Sequence, residues 1–188
     1  MIYIYSLGIA NGLILAVLLF FSKKQISATR VMAFWCLLLA LNFLGNFIYN
    51  DKTLNVFSFL IGWTYFLPAA YGGLLYLYCQ KLLNHRPLCI ADSVHLLPLI
   101  FCYALNIDIL FAHSELKLSY ILTLPPLTPS FYVSQFILYA QALIYGVLSI
   151  QLLLRYRRQY REQFSTVQKG LSRWMAALIS LSLLIWFT

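Results

Sequence analysis

The sequence predicts an all-α protein: a polytopic bundle of transmembrane helices, with five full spans and a truncated sixth. Three observations carry this reading. Hydrophobic residues make up 62% of the 188 and charged residues 10%, with a mean hydropathy of +0.81, whereas a soluble domain carries about a quarter charged residues. The apolar residues come as long blocks, which suits helices in lipid and not the alternating strands of a barrel. The basic residues sit in short loops between the blocks, where orientation signals belong. The net charge of +8 and a pI near 9.4 would also suit nucleic acid, but this placement argues against direct DNA contact by these residues.

The first span covers 2–21. No basic residue precedes it, and Ser22-Lys23-Lys24 follows it, the reverse of a cleavable signal peptide. It reads as an uncleaved helix with its N-terminus outside. Gly8 and Gly12 form a GxxxG pair that permits close helix approach. The second span, 31–49, ends in a polar patch. Asn42, Asn46 and Tyr49 follow i, i+4, i+7 and share one helical face. Amides in lipid are costly unless paired, so this face should point into the bundle.

The region 54–83 is too long for one straight span and holds Pro68 among Gly62, Gly72 and Gly73. A kinked or tilted helix is expected, or a surface segment followed by a span over 60–83. The fourth span, 92–111, should open with Asp92 as N-cap and kink at Pro98. The segment 113–130 carries Pro125, Pro126 and Pro129 and should not form a continuous helix.

The fifth span, 131–154, has 24 residues without a charge, and four arginines then arrive within seven positions: Arg155, Arg157, Arg158 and Arg161. They stop the span at the membrane surface. The helix should continue through them to about Phe164. The sixth apolar stretch, 171–188, is short for a span and reads as cut. Alternating spans place 11 of the 13 basic residues on one side, with Lys52 and Lys117 on the other. The positive-inside rule makes the first side cytoplasmic, with the N-terminus outside.

Three stretches carry a resemblance: GLILAVLLFFSKK with the following LLLALNFLGNFIY; FLPAAYGGLLYLYCQKLL with the following HLLPLI; and LLLRYRRQYREQFSTVQKGLSRWMAAL. In the last, Phe164, Ser165, Leu171 and Trp174 fall at the family's spacing. The chain resembles the N-terminal membrane region of membrane-bound AraC-type transcriptional regulators of bacteria. Gly73 departs from that pattern, where proline is frequent, and QKGLSRW is looser than usual. The resemblance implies a bundle of about seven helices and a cytoplasmic helix-turn-helix domain, which has no counterpart in these residues. DNA would be reached only through that domain. The resemblance supplies no ligand.

Candidate chemistry is sparse. Asn42, Asn46, Asn106, Asp108, Ser134 and Gln135 all fall toward the outer face and would line a ligand pocket covered by the proline-rich segment. The plainer alternative is that they hydrogen-bond neighbouring helices. Asp92 and His95 lie one turn apart and could form a proton-sensitive pair, or simply cap and pack. Arg155, Arg157, Arg158, Arg161, Phe164 and Trp174 form the expected membrane anchor and signal relay at the inner face. The four cysteines show no metal spacing. No catalytic motif is present, and none of the five acidic residues is mid-span, so neither an enzyme nor a cofactor is expected.

The expected function is a membrane-embedded sensor of a one-component regulator. It would respond to a small ligand or envelope signal, with the lipid bilayer as its main partner and a homodimer compatible with the reading. A small transporter and the input domain of a histidine kinase are the alternatives. A transporter predicts a midplane site and pseudo-symmetric halves, and no internal repeat is evident.

Overall fold

The computed structural model describes residues 2–22, 27–50, 57–60, 62–84, 86–117, 128–163 and 169–187. Every regular element among them is helical. In chain order, α1 is Ile2–Phe20 and α2 is Ser27–Asn50. A 3-10 turn at Leu67–Ala70 leads into α3, Tyr71–Asn84. A 3-10 stretch at Ile90–Leu96 leads into α4, Leu97–Leu105. Finally, α5 is Pro129–Gln163 and α6 is Lys169–Phe187.

Three helices are long and apolar enough to cross a membrane: Tyr3–Phe20, Ser27–Tyr49 and Pro129–Gln159, with mean hydropathies of 2.0, 2.0 and 1.8. Shorter apolar helices cover Ile90–Leu105 and Gly170–Trp186. The chain is thus all-α with the helices of a membrane protein. Most of α1 and one face of α5 expose large apolar side chains such as Leu7, Leu18, Phe136 and Ile144, the surface that lipid would cover.

Successive helices run antiparallel. In the α1–α2 hairpin, a Cβ on Gly8 would come within 2.8 Å of the Phe43 ring, and one on Gly12 within 2.9 Å of Ala40. The GxxxG pair does bring two backbones together. From there α2 packs on α3, α3 on α5, and α5 on α6, while α4 lies against α5. The buried helix α3 therefore sits between α2 and α5.

The third region differs from a single kinked span. Gly62 adopts φ +88°, a conformation that L side chains rarely reach. Turns run to Phe66, the 3-10 turn with Pro68 follows, and only then does the α-helix begin. Its 14 residues rise about 21 Å, less than the roughly 30 Å of a hydrocarbon core. The reason is local. Gln141 of α5 inserts between the two halves of an i→i−4 hydrogen bond: Gly72 N–H donates to its Oε1 (3.1 Å), and its Nε2 donates to Pro68 O (3.2 Å). A side chain at Gly72 would occupy the place of that carbonyl.

The fourth region is also composite. Its N-cap is Cys89, not Asp92. Asp92 stands at N3, where its carboxylate accepts the Cys89 N–H at 2.8 Å. Pro98 falls in the first turn of α4, where its missing N–H costs nothing, and marks the 3-10 to α change without kinking a helix. The helix then breaks at Asn106 before a last turn, Ile107–Leu110. In α5 the expected continuation through the arginines is present to Gln163. Its 35 residues rise about 52 Å, well beyond one hydrocarbon thickness.

Two apolar clusters fill the interior. The larger joins Val31, Leu38, Leu75, Leu83, Leu153 and Met175 toward the end where α5 carries its arginines. The smaller joins Phe66, Ala69, Cys102 and Leu138 toward the other end. We call these the basic end and the cleft end.

Candidate functional site

A cleft of about 270 Å³ opens at the cleft end between α2, the turn before α3, and the facing parts of α5 and α6. Helix α2 supplies Asn42, Asn46 and Tyr49 from the single face that their spacing predicted. The turn supplies Thr64, Tyr65 and Pro68, α5 supplies Gln135, Leu138 and Tyr139, and α6 supplies Trp186.

Hydrogen bonds fix much of this lining. Asn42 Nδ2 donates to Thr64 O at 3.2 Å, and Asn46 Nδ2 reaches Asn42 Oδ1 at 3.4 Å. Gly62 N–H donates to the Tyr49 hydroxyl at 3.3 Å. Gln135 Nε2 donates to the Tyr65 hydroxyl at 2.8 Å. The aromatic walls are braced from behind: Tyr65 packs on Phe131 with centroids 5.4 Å apart, and Tyr139 meets Trp186 edge-on at 6.2 Å. Gly45 lets α2 approach, since a Cβ there would overlap Thr64.

The six polar residues predicted for one pocket separate into three groups. Asn42, Asn46 and Gln135 line the cleft. Asn106 and Ser134 do not. They are buried against each other, with Asn106 Nδ2 donating to Ser134 Oγ at 2.7 Å and to Cys102 O at 2.8 Å. Ser134 in turn donates to Ser130 O. This pair ties the end of α4 to the start of α5. Asp108 lies exposed on the last turn, outside the lining. The proline-rich cover predicted over 113–130 falls largely on 118–127, outside the described residues.

Spacing alone did not single out Thr64, Tyr65, Tyr139 or Trp186. Tyrosine and tryptophan are common throughout this chain, so only the tertiary arrangement distinguishes these rings. Near the same end Lys117 is buried, with its ammonium donating to Leu110 O at 2.6 Å and Phe59 O at 3.0 Å. Desolvation lowers its pKa from the ordinary value of 10.5.

At the basic end Asp92 pairs with Lys81 (2.7 Å), not with His95. Lys81 also donates to Pro87 O at 3.1 Å. His95 Nδ1 instead meets the Tyr145 hydroxyl at 3.2 Å, within a stack that includes Tyr76. A groove of about 240 Å³ here is lined mainly by apolar side chains such as Phe34, Leu74 and Leu77, with Arg30 and Asp92 beside them.

Among the proposed relay residues, Arg157 bridges α5 and α6: Nε donates to Ser172 Oγ at 2.5 Å and Nη2 to Ser172 O at 3.3 Å. Arg155, Arg158 and Trp174 are exposed at the same end. The Arg161 side chain and Phe164 lie outside the described residues.

The described lining of the cleft presents neutral hydrogen-bonding groups and aromatic rings, and no group of three or more His, Cys, Asp or Glu able to hold a metal occurs among the described residues. The chain matches no protein-family model, no curated protein and no solved structure.

Proposed function

We propose that this chain is the signal-sensing membrane region of a bacterial one-component transcriptional regulator. In this reading it sits in the cytoplasmic membrane as five spans and part of a sixth, with the cleft toward the outside and the arginines in the cytoplasm. Asn42, Asn46 and Gln135 contact a small ligand, and Asn106 with Ser134 holds the α4–α5 junction behind them. Arg157 passes the change in packing to α6 and to a DNA-binding domain outside these residues.

One observation carries the proposal: α5 lines the cleft at Gln135, Leu138 and Tyr139 and runs without a break to Gln163 at the basic end. A ligand that favours one packing of α5 against α2 therefore acts on both ends. The shift equals its difference in affinity for the two packings.

The test uses the full-length protein with its transcriptional output as readout. Asn46→Leu and Gln135→Leu should abolish the response to the inducing condition while membrane insertion persists. Asp108→Asn, outside the cleft, should leave the response intact. Wild-type response in both cleft variants would refute the proposal.

A further inference from the structure

We propose that the cleft recognises a neutral polyhydroxylated molecule of single-ring size, a monosaccharide or cyclic polyol. This names the ligand class and rests on the sensory reading of the same cleft.

The argument begins with charge. The ten described residues of the lining include no Lys, Arg, Asp, Glu or His. An ionised carboxylate or ammonium entering such a site would lose hydration without gaining a counter-charge, at a cost of several kcal/mol. Amino acids, organic acids and phosphates are disfavoured on this ground. Next come the donors and acceptors. Asn42, Asn46 and Gln135 are amides, each offering both a carbonyl and an NH₂, and Thr64 with three tyrosines adds hydroxyls. A hydroxyl group is likewise donor and acceptor at once, so a ring bearing several of them satisfies such a lining in full.

The amides are also held in place. Asn42 is anchored on Thr64 O and receives Asn46, while Gln135 is anchored on the Tyr65 hydroxyl, which leaves its Oε1 as an acceptor. Such preorganisation lowers the ordering cost of binding. Tyr65, Tyr139 and Trp186 bring aromatic rings to the lining, apolar surface against which the C–H face of a sugar ring would pack. Size completes the case. At about 270 Å³ the cleft lies just below the roughly 300–1,000 Å³ of drug-sized sites, which suits one ring. A quaternary ammonium would also suit the aromatic rings, but it carries no hydroxyl to donate to Gln135 Oε1, the acceptor that the Tyr65 contact leaves open.

The experiment is equilibrium dialysis of the full protein in lipid nanodiscs with labelled D-glucose and N-acetylglucosamine, against choline and glutamate. Tryptophan fluorescence is followed in parallel, because Trp186 is in the lining. Expected is saturable saccharide binding that quenches fluorescence and weakens at least tenfold in Gln135→Leu and in Asn42→Leu. Gln135 sits at the rim, so its variant guards against misfolding of the second.

Three results would overturn the proposal. Binding of neither saccharide refutes it. Binding of choline in their place, lost in the same variants, refutes the ligand class but keeps the cleft as a sensory site. Saccharide binding untouched by both variants refutes the location.

Discussion

The two ends of the bundle use polar side chains in opposite ways. At the basic end they close over an apolar interior: Lys81 is spent on Asp92 and Pro87 O, Arg157 on Ser172, and the groove beside them is walled by Phe and Leu. At the cleft end the apolar cluster is small, and amides, hydroxyls and rings surround open space. The first arrangement holds helices in register, and the second leaves hydrogen-bonding capacity for a partner. In the sensory reading, the basic end would serve mainly stability and the cleft would serve recognition.

The sharpest way to break this comparison is Lys81→Met. It leaves the half-buried Asp92 carboxylate with the Cys89 N–H in place of its ammonium partner and should destabilise the folded protein by about 2–4 kcal/mol, read from unfolding in detergent. Gln141→Leu comes next. Gly72 N–H would lose its acceptor and Pro68 O one of its two donors, for about 1–3 kcal/mol in the same measurement. A double-mutant cycle over Asn106→Leu and Ser134→Ala should give a coupling of about 0.6–1.7 kcal/mol, the range found between membrane helices.

Gln135→Leu should change stability by less than about 0.5 kcal/mol while removing the response. If it destabilised as strongly as Lys81→Met, the division between the ends would fall.

Lys117 gives the smallest effect and carries a pH signature. Burial lowers its folded pKa below 10.5, so between those two values the unfolded chain binds more protons. Stability should therefore rise with pH across that window, and Lys117→Met should flatten the rise.

The helices were legible in the sequence because lipid demands long apolar runs, and charges cannot enter them cheaply. The shared face of Asn42, Asn46 and Tyr49 was legible from helical spacing alone. The two composite regions were not. The α-helix near Pro68 is displaced by Gln141, which lies 73 residues away in sequence. A glutamine inside an uncharged span was the available signal, since an amide there needs a partner. Of the six-residue polar set only Asn42, Asn46 and Gln135 share one cleft, because depth along a helix is readable from position whereas partner choice is not. Asn106 Nδ2 finds Ser134 Oγ, and no spacing rule announces this. The same limit hid the partner of Asp92, which belongs to the preceding helix and not to the next turn.

The clip at Gln141 has a mechanical consequence. It pins α5 to α3 at a point six residues from Gln135 and sixteen from Arg157. At 1.5 Å per residue the two arms measure about 9 and 24 Å. Were α5 to pivot at Gln141 as a rigid rod, a sideways displacement at the short arm would be roughly two and a half times larger where Arg157 meets Ser172.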